Sequence, residues 1–452
     1  MPSYKSVFVC QQCAYKSAKW IGRCPSCNSW NSFIEETVVK KPENAAKNTS
    51  FSAAELQELS EVNPVLCERI VLPFGEFNRV LGGGLVKGSV ILIGGEPGIG
   101  KSTLIMQSVL GLNNKKVLYV SGEESPSQIK LRADRLSQTG SQMYLFSGIA
   151  LENILAAART VKPDIVVIDS VQTIYSEDFM SVPGSVSQIR GCAQQLQQFA
   201  KSGGVPVILI GHINKEGNIA GPMTLEHIVD VVIQFEGDSN HYYRLLRSKK
   251  NRFGSAFELG VFEMTQVGLV EITDPGNMLL SENIQPVSGV SITAMNEGSR
   301  TIILEIQALA GNSVYSSPQR TATGFDSRRL NMLLAVIEKR LGYRLGQKDI
   351  FLNIAGGIRL NDPAADLAVI SAILSSLTDL PISHDTCFIG EISLSGQVRP
   401  VSNIQMRLSE VSKLGFRKVF LSKYQQHLEQ QQGVEYVKIS SIKEFAGLLF
   451  AG

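Results

Sequence analysis

The sequence predicts an α/β protein: a mainly parallel sheet covered by helices on both faces, preceded by a metal-stapled ribbon and followed by a smaller α+β domain. Three observations carry this expectation. Short apolar runs alternate with helical periodicity between residues 89 and 235, four of the seven cysteines cluster before residue 28, and the pattern changes again beyond residue 284. A chain of 452 residues is too long for one core. With 44% apolar and 19% charged residues the composition is that of a globular protein, not a disordered or fibrous one. The net charge of +2 favours no anionic partner over the whole chain, so a nucleic-acid surface would have to be local. The first residues lack an apolar signal region and no later run reaches spanning length, so a cytoplasmic protein without membrane contact is expected.

The ribbon is expected over residues 1–34. Cys10-Gln11-Gln12-Cys13 and Cys24-Pro25-Ser26-Cys27 are two CxxC knuckles separated by ten residues, a spacing that suits a tetrahedral Zn²⁺ site. So short a segment cannot build a core without a staple, and four thiolates leave no open coordination position, so the metal is structural. Two disulfides or a redox pair are the alternatives, but no βαβ pattern surrounds the knuckles. Cys67, Cys192 and Cys387 stand in apolar or helical settings and read as small buried hydrophobes. Residues 35–60, rich in Lys, Glu, Asn, Ala and Ser, read as a linker.

The sheet domain is expected over residues 61–275, with strands near 89–94, 117–121, 165–169, 205–211 and 229–235 and helices near 102–112, 125–135, 151–161 and 186–202. The first of these strands runs into Gly95-Glu96-Pro97-Gly98-Ile99-Gly100-Lys101-Ser102-Thr103 and then an apolar helix. Glycines there let backbone N–H groups turn toward phosphate oxygens at a helix N-terminus; Lys101 would reach the β- and γ-phosphates and Ser102 would ligate Mg²⁺. This is a nucleotide site. Asp169, at the end of an apolar strand, is the expected magnesium-side carboxylate. Glu123 and Glu124 end another strand; a carboxylate there can polarise the attacking water or simply favour the start of the next helix, and the two roles stay unassigned. His212, at the end of a further strand, is either a γ-phosphate contact or a structural histidine. Arg244, Arg247, Lys249, Lys250 and Arg252 form a cationic run that reads as a solvated face, a phosphate-backbone contact, or a cation inserted into a neighbouring subunit's nucleotide.

A third domain is expected over residues 284–452. Residues 287–295 and 300–309 alternate about the turn Asn296-Glu297-Gly298-Ser299, and residues 326–341 and 362–377 have helical periodicity.

The four-cysteine ribbon, the segment Gly95 to Ser102 and the pentapeptide Lys250-Asn251-Arg252-Phe253-Gly254, in this order, resemble the RadA (Sms) family of bacterial recombination ATPases over nearly the whole chain. The resemblance implies a RecA-like core that binds ATP and Mg²⁺ and assembles as a homo-hexamer with single-stranded DNA through its centre. By it Lys101, Glu123 or Glu124, Asp169, Lys250 and Arg252 form the catalytic set, Lys250 and Arg252 working at the subunit interface or on DNA. Segments 175–188 and 215–224 fall where RecA-like proteins contact DNA. It implies a DNA-dependent helicase that promotes branch migration or D-loop extension in homologous recombination, with branched DNA and a RecA-type recombinase as partners. The C-terminal part is similar to the Lon protease domain, but Ala364 stands at the serine position and Gln405 at the lysine position, and neither can supply a nucleophile or its base. That leaves a proteolytically inactive scaffold. Ser371, Ser375 and Ser376 have the spacing of one packed helix face instead. The rival readings are an ATP-switched clamp on DNA or a recombinase that does not translocate, and an ATP-dependent protease.

Overall fold

The computed structural model describes residues 4–10, 15–39, 68–136, 140–179, 181–212, 223–237, 243–256, 258–273, 287–313, 318–355 and 359–450. They form two compact units, Met1–Glu271 and Ile272–Gly452.

The first unit opens with a three-stranded antiparallel ribbon in which Tyr4–Cys10 lies between Lys16–Ser17 and Phe33–Val39. The last strand passes the boundary at residue 34, because Thr37, Val38 and Val39 are β-branched and pair back to Tyr4. The rest of the expected linker lies outside the described residues.

The main sheet has nine strands. From one edge they are Gly268–Glu271, Leu259–Thr265, Tyr243–Asn251, Val231–Glu236, Val90–Gly95, Val207–His212, Ile165–Asp169, Lys116–Ser121 and Gln142–Ser147. The last six run parallel and the first three are antiparallel. Val90–Gly95 is central and buried along its whole length. Its alternation serves two cores. Ile91 and Ile93 face the helices Gly75–Leu81, Lys101–Leu110 and Pro126–Arg135, while Val90 and Leu92 face Leu151–Val161, Val186–Gly203 and Met223–Ile228. Helix ends follow local chemistry: Ser125 and Gln128 form a capping box, and Gly204, with φ of +65°, ends the longest helix of this unit.

The second unit is built on a seven-stranded mixed sheet, ordered Arg320–Thr323, Lys348–Ile354, Arg300–Asn312, Val290–Glu297, Thr386–Ile389, Lys418–Ser422 and Glu435–Ile439. The expected hairpin forms, with pairing extended to Glu297 and Arg300 so that only Gly298 and Ser299 lie between the strands. Asp326 caps the helix Ser327–Leu341. The helix expected over 362–377 is divided: Asp362 caps a 3₁₀ turn at Pro363–Ala365, and the α-helix is Asp366–Thr378.

Around the positions aligned with the protease dyad the side chains serve the fold. Ala364 is buried in the core. Arg407, also buried, donates to Asp362 at 2.6 Å, to the Ala294 carbonyl at 2.5 Å and to the Ser402 carbonyl at 3.1 Å, tying one strand to the starts of two helices. The Ser371 hydroxyl donates to the Leu367 carbonyl, Ser375 accepts from the Gly289 N–H, and Ser376 accepts from the Ala310 N–H. Replacing Arg407 by Leu leaves the Asp362 carboxylate without its counter-ion; we expect a loss of roughly 3 kcal/mol, read from chemical denaturation of the C-terminal unit.

Candidate active site

The central strand delivers the phosphate loop to the carboxyl edge of the sheet, where ligands bind in open α/β folds. Ile99 is buried in the core and its carbonyl accepts from the Arg244 Nε at 3.2 Å, so the loop is anchored at its middle. Gly98 and Gly100 on either side have φ of +77° and +110°, values that a side chain would strain. Glu96, Pro97 and Gly98 are exposed, and the added Cβ of residue 98 would meet only open space. The helix Lys101–Leu110 starts here with no side chain capping its first turn, leaving the backbone N–H groups of that turn, Ser102 and Thr103 among them, for an anion. The Lys101 ammonium donates at 2.8 Å to the carbonyls of Gly95 and Glu96 and lies 3.4 Å from His212 Nδ1. The loop, its uncapped helix and the buried cation fit a triphosphate.

Asp169 accepts from the Tyr119 hydroxyl at 2.6 Å. Burial, and then the neighbouring Asp169, push the Tyr119 phenol well above its usual range, so it remains a donor. The two glutamates separate. Glu124 is held by Arg132, whose two terminal nitrogens each lie 2.9 Å from a carboxylate oxygen. Glu123 accepts from the Ser170 hydroxyl at 2.8 Å and stands 3.9 Å from His212 Nε2, on the Lys101 side. Lys101, Glu123, Asp169 and His212 thus form one cluster, with Glu124 turned to the Arg132 side. Sequence reasoning missed Tyr119, Arg132 and Ser170, and named Arg244 only as part of the cationic run; a tyrosine inside an apolar strand and a serine after an aspartate carry no signal of their own.

Lys250 and Arg252 are not part of that cluster. Their strand, Tyr243–Asn251, runs antiparallel to Val231–Glu236 and ends at the opposite edge of the sheet, where Asn251 pairs with Val231. The central strand rises five residue steps from Val90 to Gly95, roughly 17 Å, which is beyond the reach of an arginine side chain. At that edge Arg252 Nη1 donates to Asp230 at 3.2 Å with about half of its side chain exposed, and Asp230 also accepts from the Val90 N–H at 3.0 Å. The Lys250 ammonium donates to the carbonyls of Glu226 and Val229, and burial lowers its pKa. Asn251 Nδ2 donates to the Val80 carbonyl, and Arg69 to the Phe253 carbonyl. Gly254 is required by contact: its added Cβ would lie 3.0 Å from the Cα of Gly82, itself at φ of +80°. The cationic run is therefore a strand, with Arg244 behind the phosphate loop, Arg247 paired to Glu236 and the pentapeptide folded over the far edge.

In the ribbon the thiols of Cys10, Cys24 and Cys27 lie within 4.8 Å of one another, and Cys13 lies outside the described residues. The 3.6 Å between the sulfurs of Cys10 and Cys27 is close to the roughly 3.8 Å that tetrahedral Zn–S bonds of about 2.3 Å impose. The Ser32 hydroxyl lies 3.2 Å from the Cys10 sulfur, and the Cys27 thiol donates to the Ser29 hydroxyl at 3.3 Å. Cys192 and Cys387 are buried, and burial pushes both thiols up to about 12. Segment 175–188 joins the Asp169 strand to the helix Val186–Gly203, whereas most of 215–224 lies outside the described residues. No helix among the described residues is long and apolar enough to cross a membrane.

Fold and site together define a P-loop ATPase that carries an N-terminal metal ribbon. Family comparisons agree: residues 57–218 match an AAA domain, residues 8–35 a rubredoxin metal binding domain, and residues 293–425 the subunit ChlI of Mg-chelatase. The chain is 45% identical to the DNA repair protein RadA of Bacillus subtilis (strain 168), with 98% of each chain covered. It is 46% identical to that of Listeria monocytogenes over 92% of each, and 44% identical to that of Streptococcus pyogenes serotype M1 over the full length of both. The chain belongs to the RadA family of DNA repair proteins.

Burial lowers the Lys101 pKa to about 8, against the opposing pull of Asp169, Glu123 and Glu96. Bound phosphates favour the ammonium, so nucleotide binding takes up a proton above that value. We expect ATP affinity to fall as the pH rises through about 8, and the fall to flatten in Lys101→Arg, measured by titrating a fluorescent ATP analogue over a pH series.

Proposed function

We propose that this protein is a DNA-dependent ATPase that works as a homo-hexameric, single-stranded-DNA motor in homologous recombination and DNA repair, in the cytoplasm, extending D-loops or moving branched DNA beside a RecA-type recombinase. The observation that supports it best is the separation of the half-exposed Arg252 from its own phosphate loop. A cation on the far edge of the sheet serves the ATPase chemistry when a second copy presents that edge to the nucleotide of the first, and repeating that head-to-tail contact closes a ring. In each site Lys101 would neutralise the β- and γ-phosphates, Ser102 and Asp169 would hold Mg²⁺ and its water shell, and Glu123 would orient the attacking water. Mg²⁺ supplies charge neutralisation on the transferred phosphoryl group. Zn²⁺ on Cys10, Cys13, Cys24 and Cys27 would staple the ribbon.

The protease alternative is disfavoured by Ala364 and by the engagement of Ser371, Ser375 and Ser376 with the backbone. The C-terminal unit is read as a scaffold for the ring.

Two measurements test the proposal. Lys101→Ala and Arg252→Ala proteins are each expected to lose DNA-stimulated hydrolysis, while a mixture of the two regains part of it, because some interfaces then join an intact Lys101 to an intact Arg252. A mixture as inactive as its components would sink the ring argument. Glu123→Gln is expected to lower kcat by roughly 100-fold or more with nucleotide binding retained, and Glu124→Gln to lower it far less; the reverse order would transfer the water-orienting role to Glu124.

A further inference from the structure

The chain has two tryptophans, and both stand on the ribbon. Trp20 is 53% exposed and Trp30 is 70% exposed. Indoles normally bury their large faces, and the ribbon does not use these two to fold. Its small core consists of Cys10, Cys24 and Phe33 with Phe8, Ile21 and Cys27 against them. A Cβ added at Gly22 would lie 3.8 Å from the Trp20 ring and 3.9 Å from the Trp30 ring, so both indoles come close to the backbone of a residue with no side chain. The Arg23 guanidinium lies 5.7 Å from the centre of the Trp30 ring.

Charge selects the occupant. The ribbon through Val39 contains Lys5, Lys16, Lys19 and Arg23 against Glu35 and Glu36, and the two carboxylates fall on its last strand, outside the segment 16–30 that carries three of the cations and both indoles. Lys16 and Lys19 are exposed. Open aromatic faces among cations, on a segment that itself has no carboxylate, are the chemistry of single-strand binding, in which bases stack and the backbone follows positive charge. The position in the fold agrees. Val9 of the ribbon is buried against Val186, the first residue of the helix Val186–Gly203, at the end of segment 175–188.

We propose that Trp20 and Trp30, with Arg23, Lys16 and Lys19, form a stacking site for single-stranded DNA on the ribbon, tolerant of sequence because every base offers a π face. The inference rests on the DNA-acting function proposed above and adds a contact outside the ATPase core.

The two tryptophans make the test direct, since all indole fluorescence of the protein arises at this surface. Full-length, zinc-loaded protein is titrated with oligothymidylate, following tryptophan emission and, in parallel, the anisotropy of a labelled oligonucleotide. We expect saturable quenching at the concentrations where anisotropy rises. Trp30→Ala should weaken binding by roughly tenfold, about 1.4 kcal/mol, with zinc content unchanged. The surface double variant Lys16→Glu with Lys19→Glu, which leaves both indoles and the core in place, should weaken binding and reduce its salt dependence. Oligonucleotide binding without quenching, and with no loss in any of these variants, would overturn the stacking site, leave the DNA-acting function standing and hand this surface to a protein partner. A wild-type protein that binds no oligonucleotide would overturn the DNA-acting function itself, and the stacking site with it.

Discussion

The buried carboxylate of Asp230 holds the first strand of the ATPase in place. One oxygen accepts from the backbone of Val90, where the central strand begins, and the other from Arg252, on the turn that covers that edge. Nearly all of this carboxylate is removed from water, so its charge is matched by donors aimed at it rather than by solvent. Between Val90 and Gly95 the strand is buried on both faces and paired on both sides. Asp230 ties Arg252 to one end of this strand, and the phosphate loop follows from the other.

The two flanking parts solve different problems. The ribbon gathers cysteines about one point, as a chain too short for a core must. The C-terminal unit has a full core and turns a charged side chain inward: Arg407 replaces water for the Asp362 carboxylate and for two carbonyls at once. The match to the ChlI subunit over this unit concerns a framework, and Ala364 is packed within its core.

Much of this was legible before any coordinates. Buried parallel strands have continuous apolar runs, so Val90–Gly95 and Ile165–Asp169 stand out, and glycine followed by lysine marks where the backbone must curl. The strand Gln142–Ser147 was not assigned from the sequence although Met143 to Phe146 form a short apolar run; it lies half exposed at the sheet edge. Tyr243–Asn251 was read as a charge run because its arginines and lysines take partners from elsewhere in the chain, which one-dimensional patterning does not display. Helix 362–377 was read as one element because periodicity does not register the Asp362 cap and Pro363, which tighten its first turn. For the same reason the adjacent Glu123 and Glu124 were equivalent in sequence; in the fold Arg132, on a helix that follows them, takes Glu124, and the Ser170 hydroxyl takes Glu123.

That distinction has an electrostatic consequence. ATP with its metal is still an anion, and two neighbouring free carboxylates would repel it as it arrives, at close range and in a partly dehydrated cleft. By closing on both oxygens of Glu124, Arg132 cancels one of those charges and, at 3.9 Å from Asp169, softens a second. Glu123 accepts from the Ser170 hydroxyl and lies on the Lys101 side instead. The cleft therefore avoids the repulsion that two adjacent free carboxylates would impose on every nucleotide that enters.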